Sequence, residues 1–209
     1  MKLRIASLSL LALCLAVVPA VAQTDLYDNG PTNGTVDAWT ISSGFIVSNS
    51  FSLSSASQVT GLTFSAWMFP GDVLESAEVS ITSSEFGGTT YFDGTVNFSS
   101  SNCIDNPLGA TVCDETGSIT PTNLNAGSYW LNLQNGVTNT GDPVYWDENS
   151  GPSQASQNSI GTLPSESFTI LGGTTSTTTT TGTTPEPSSI LLFGSGVIGL
   201  AGVLRRKLF

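Results

Sequence analysis

The 209-residue chain predicts an all-β fold, an antiparallel β-sandwich with jelly-roll-like strand order. Three observations carry this expectation. Leu62, Phe64, Ala66 and Met68 alternate with Thr63, Ser65, Trp67 and Phe69, and Ala77, Val79 and Ile81 alternate with Glu78, Ser80 and Thr82. A period of two sets one series of side chains on each face of a strand. Glycine-containing dipeptides punctuate the chain at Gly71-Asp72, Gly87-Gly88, Asp93-Gly94, Ala126-Gly127 and Asn135-Gly136, and these suit turns because Gly and Asn tolerate left-handed backbone. No stretch of residues 23–171 shows a helical period, and short strands with two apolar faces bury them by stacking sheets.

The first segment is an export signal. Lys2 and Arg4 precede an apolar run over 5–18, and Ala20-Val21-Ala22 is a small-x-small cleavage site. Residues 1–22 therefore read as a signal peptide, with Gln23 as the first mature residue. Cys14 lies inside the apolar run behind Leu13, where a lipobox needs a small residue, so ordinary cleavage is favoured.

Residues 23–171 form the predicted domain, and its length is sufficient for one substantial core. Beside the two alternating runs, strands are expected over 36–41, 44–53, 89–98, 128–133, 143–146 and 167–171. Cys103 and Cys113, the cysteines left after processing, are separated by a loop-like stretch containing Asn106-Pro107 and Gly109. Outside the cytoplasm they should pair. Residues 172–184 are nearly all Thr, Ser and Gly, a composition that cannot bury a core and predicts a disordered linker.

The last twenty-five residues, 185–209, combine three features in order: Pro185-Glu186-Pro187, an apolar run ending at Leu204, and Arg205-Arg206-Lys207. Residues 188–204 predict a transmembrane helix of roughly 25 Å at about 1.5 Å per residue, slightly short of a hydrocarbon core about 30 Å thick. The basic cluster should stay cytoplasmic, leaving everything upstream outside. Gly194-Ser195-Gly196-Val197-Ile198-Gly199 matches the dinucleotide fingerprint, but it lacks the strand before and the βαβ unit around it that nucleotide binding needs. Small residues packing in a membrane helix account for these glycines.

This tail resembles the PEP-CTERM sorting signal of bacterial exosortase substrates. The resemblance covers residues 185–209 and leaves the central domain unassigned. It implies recognition of Pro185-Glu186-Pro187 by an exosortase-type membrane protease, a transient inner-membrane anchor, removal of the tail, and a final place at the cell surface or outside it. It also implies a bacterium that makes exopolysaccharide, which is then a candidate partner.

Charge narrows the function classes. All five Lys and Arg lie at positions 2, 4, 205, 206 and 207, and the chain has no His. Residues 23–184 therefore carry fifteen carboxylates and no base, the sixteenth acid being Glu186. Such a surface repels nucleic acid and anionic lipid, so the membrane is met only through the C-terminal helix. Histidine-based triads, histidine zinc sites and Schiff-base lysines lack their residues. Carboxylate chemistry and hard-cation binding remain, but no spacing singles out a glycosidase pair, and the chain is read as not an enzyme.

The densest candidate site spans 141–151. Tyr145, Trp146 and Asp147, with Trp130 on the face opposite Tyr129, Leu131 and Leu133, are candidate carbohydrate contacts, since aromatics beside carboxylates can stack on sugar rings and accept their hydroxyls. Asp142, Asp147, Glu148 and Asn149 are candidate Ca²⁺ ligands, without an EF-hand spacing. The alternative is that Trp130 covers a sheet and Trp146 plugs the sandwich end. Asp114-Glu115 reads as a solvated turn. Two functions follow: a structural or interaction protein of the surface or extracellular matrix, or a lectin-like module with Ca²⁺ as its only candidate cofactor.

Overall fold

The computed structural model describes residues 23–174. The signal peptide, most of the linker, the sorting residues and the expected membrane helix lie outside the described residues. Among those described, thirteen antiparallel strands occur and no helix. They are β1 (Thr24–Asp28), β2 (Ala38–Thr40), β3 (Ile46–Leu53), β4 (Ser57–Met68), β5 (Leu74–Ser84), β6 (Gly87–Asp105), β7 (Thr111–Leu124), β8 (Gly127–Thr138), β9 (Tyr145–Asn149), β10 (Ala155–Gln157), β11 (Gly161–Leu163), β12 (Ser165–Glu166) and β13 (Phe168–Thr174).

Their pairing is nested. β5 pairs β6, β4 pairs β7, β3 pairs β8 and β2 pairs β9, so a long hairpin folds over itself. The cross-links β4·β9 and β5·β8 turn this ribbon into two layers, β2–β9–β4–β7 and β3–β8–β5–β6. We call the first layer A and the second layer B. β1 and β13 extend layer A beside β4, and β10 and β11 extend layer B beside β3. β6 belongs to both: its first half pairs β5, and from Phe98 onward it pairs β7. Gly117 permits this crossing, because a Cβ there would stand 2.5 Å from Val96 and 2.7 Å from the Phe98 ring.

The inward residues of both layers form one core. An aromatic seam runs through it: Phe64 meets Phe98 and Trp146 edge-on at 5.2 and 5.9 Å, and Trp146 meets Phe168 at 5.7 Å. Phe168 then faces Phe51 of layer B at 6.5 Å. Edge-to-face rings at these separations add to the burial of their area.

Several expectations change. Asp93-Gly94 is no turn; it lies within β6 opposite Ser80 and Val79. The β5–β6 reversal falls at Glu85 and Phe86, with Phe86 in the left-handed region at φ 56°. Asn135-Gly136 is a bulge inside β8, with Asn135 at φ 50°, because three residue steps there oppose two on β5. β7 includes Asp114 and Glu115, which are therefore strand residues and not a solvated turn. The cysteine stretch is the end of one long hairpin, and the Cys103–Cys113 disulfide bridges β6 and β7. Finally, β13 continues past 171: Gly172, Gly173 and Thr174 pair with Val59, Gln58 and Ser57, so the first expected linker residues belong to the sheet.

Candidate functional site

The polar residues singled out in the sequence lie on or near β9, and period-two alternation separates them. Trp146 points into the core, is fully buried, and donates its indole N–H to the Ser167 carbonyl at 2.8 Å. It plugs the interior and has no surface to offer a sugar. Asp147 points the other way and is also fully buried. Its carboxylate accepts the backbone N–H groups of Asn33 (2.7 Å) and Gly34 (2.8 Å) and the Trp67 indole N–H (2.6 Å), which fastens the loop between β1 and β2 to layer A. Burial nevertheless pushes its carboxyl above the ordinary value, against the pull of these three donors.

Glu148 is half-buried and accepts the Trp39 indole N–H at 3.1 Å. Asn149 donates to the carbonyls of Asn29 and Pro31 at 2.9 and 3.3 Å. Asp142 stands apart in an exposed loop, where Thr140 donates to it at 3.3 Å. The four Ca²⁺ candidates therefore do not converge, and among the described residues no three acidic or thiol side chains gather closely enough to hold a metal.

Two other buried acids escaped the sequence reading. Glu166, on β12, stands opposite Glu148 in the β9·β12 register. It is fully buried, and among the described residues neither carboxyl oxygen has a hydrogen-bond partner. Burial, reinforced by Glu148, Asp147 and Asp37, raises its pKa to about 9. Glu115, on β7, accepts the Ser100 hydroxyl at 2.7 Å with one oxygen and leaves the other unpartnered. Burial, partly offset by Ser100 and reinforced by Asp114, raises it to about 7. The one available clue was their setting: acids among strand residues in a domain without a single base.

The surviving aromatic candidates lie in different grooves. Tyr145 lines an apolar groove of about 220 Å³ with Trp67, Met68, Phe69 and Leu108, and Asp37 at its side. Trp130, half-buried on the outer face of layer B, lines a second groove of about 470 Å³. Glu85, Gln154, Ser156 and Thr162 share that lining. As alternation predicts, Tyr129, Leu131 and Leu133 are buried behind Trp130. This second groove couples one aromatic ring to several neutral hydrogen-bonding side chains.

A model of the PEP-CTERM protein-sorting motif matches residues 183–207. The chain carries that sorting signal. The match runs from two residues before Pro185-Glu186-Pro187 to Lys207, the last of the basic cluster. The PEP-CTERM motif implies processing by exosortase, a membrane enzyme, and export to the cell surface or beyond. No curated protein matches the chain.

Proposed function

We propose that this exosortase substrate is a structural or interaction protein of the bacterial surface or extracellular matrix, without catalysis, whose β-domain is a jelly-roll sandwich. The observation that carries the reading is the sorting motif at 183–207. The nested strand pairing supports the fold, and the acidic, base-free domain supports a role as a soluble, self-repelling surface component. Pro185, Glu186 and Pro187 are the residues we assign to recognition, with 188–204 as the transient anchor and Arg205, Arg206 and Lys207 as its cytoplasmic stop. Deleting 185–209 should strand the protein away from the surface, as read by fractionation and surface labelling. Unchanged surface localisation would overturn the assignment.

A second reading, a carbohydrate-binding module, is favoured by the Trp130 groove. Its ring, beside the hydroxyls and amides of Ser156, Thr162 and Gln154, has the chemistry to stack on a sugar and bond its hydroxyls. The host's exopolysaccharide is the natural probe. Retention of the protein on that polysaccharide, lost in Trp130→Ala, supports this reading, and no retention in buffer with or without EDTA removes it.

A further inference from the structure

We propose that Glu148 and Glu166 hold a buried calcium ion between β9 and β12. Glu166 and Glu148 are directly opposed in an antiparallel register, which sets their side chains on the same face with Cβ atoms about 5 Å apart. Like charges so placed repel. Glu166 is fully buried, and among the described residues no donor reaches either of its carboxyl oxygens. Asp147, equally buried, receives three N–H donors, from Asn33, Gly34 and Trp67, and Glu115 receives the Ser100 hydroxyl. Glu166 receives none, and no Lys, Arg or His exists between residues 23 and 184 to supply a countercharge. The pair is therefore neutralised by a proton on Glu166 or, when both carboxyls are ionised, by a cation from outside the polypeptide.

The chemistry of the donors selects the cation. Carboxylate oxygens are hard ligands; imidazole is absent from the chain, and the Cys103 and Cys113 sulfurs are consumed in their disulfide, so soft and borderline metals have no preferred ligands here. Calcium accepts an irregular shell completed by neutral oxygens, whereas magnesium demands a regular octahedron and keeps several waters, which suits a dry interior poorly. Two carboxylates match its double charge. Among the described residues no third acidic side chain joins them closely enough to be a ligand, so the remainder of the shell falls to neutral oxygens. The site differs from the sequence-level candidates by its second ligand, Glu166, and by leaving out Asp142, Asp147 and Asn149.

Trp39 provides a built-in reporter, because its indole N–H donates to Glu148 Oε2 at 3.1 Å. Full-length protein in detergent is titrated with calcium after EDTA treatment and followed by thermal melting, then with terbium as a luminescent calcium substitute excited through tryptophan. Calcium at a hundredfold excess over its Kd should raise Tm by roughly 5–10 °C, and terbium should show sensitised emission. Glu166→Gln, isosteric with the protonated acid, should remain folded in EDTA while losing both effects, and Glu148→Gln should weaken calcium binding roughly tenfold or more. Asp142→Asn should leave both effects intact. The proposal is overturned if calcium leaves the wild-type Tm unchanged, if Glu166→Gln responds like wild type, or if Asp142→Asn alone abolishes the response.

Discussion

The two layers bury polar groups in opposite ways. On layer B the buried polar cluster is neutral and paired: Ser48 donates to Asn132 Oδ1 at 2.6 Å, while Asn132 Nδ2 donates to Thr82 and Ser80 hydroxyls at 2.9 and 3.1 Å. Layer A, with β12 attached to β9, buries Glu115, Asp147 and Glu166, and two of these have carboxyl oxygens without partners. A satisfied neutral network exchanges water's hydrogen bonds for the protein's at little net cost. A buried carboxylate without a base must find donors, a proton or a cation. Layer B's stability should therefore be indifferent to pH and ions, and layer A's should not.

The largest expected effect follows from titration. Glu166 and Glu115 have folded pKa values raised to about 9 and about 7 from 4.5. The folded chain consequently holds protons that the unfolded chain has released, and stability falls as pH rises from 4.5 through 7 for Glu115 and on to 9 for Glu166. Below 4.5 both states are protonated and this contribution is fully retained. In EDTA the loss across the window should be on the order of several kcal/mol, read as a falling Tm at pH 5, 7 and 9. Glu166→Gln should remove the slope between pH 7 and 9 and reduce it below 7, whereas Glu115→Gln should reduce the slope below 7 and leave the upper part unchanged. A level wild-type profile would break the contrast between the layers.

Next in size is Asp147→Asn, which replaces one of two accepting oxygens with an amide donor facing the Asn33 or Gly34 N–H. Losing a charge-assisted acceptor and leaving a buried donor unpaired should cost about 3 kcal/mol, measured by denaturant titration, with cleavage of the β1–β2 loop by protease as a second readout. A near-neutral result would show that the loop is held by other contacts. On layer B, Asn132→Ala should cost about 2 kcal/mol by orphaning the buried Ser48 hydroxyl and removing the Asn132 bonds to Ser80, Thr82 and the Phe86 N–H. Its Tm profile should run parallel to wild type at every pH, and a changed slope would mean that the layers are electrostatically coupled.

Legibility in the sequence differed for physical reasons. The tail was readable because a sorting signal is linear: a proline-flanked acid, an apolar run and a basic cluster are recognised by order alone. Strands β4 and β5 were readable because their inward residues, such as Leu62, Phe64, Val79 and Ile81, are all apolar. β7 was not, since its inward series Cys113, Glu115, Gly117 and Ile119 includes an acid and a glycine, the latter small only because Val96 and Phe98 of β6 occupy its space. β12, two residues long, lies below any periodic pattern, so Glu166 could be located only by the fold. Asp93-Gly94 misled because a local turn preference yields to the paired register of a long strand.

The smallest predicted effect is a control on the whole contrast. The Cys103–Cys113 bridge sits in layer A two residues before Glu115 and closes a short loop, which the chain-entropy model values at somewhat under 3 kcal/mol. The hairpin turn already has its own fastening: the Asn106 side chain accepts the N–H groups of Leu108 and Ala110 at 3.0 and 2.9 Å, and the Asn106 N–H donates to the Ala110 carbonyl at 2.8 Å. These bonds restrict the reduced chain as well, so the double variant Cys103→Ser, Cys113→Ser should lose about 1–2 kcal/mol, less than the loop-closure value. The bridge carries no titrating proton, and its removal should lower Tm by the same amount at pH 5, 7 and 9. A deficit that grows with pH would mean that the bridge governs Glu115, by holding β6 and Ser100 against it, and that the carboxylate and the disulfide form one unit.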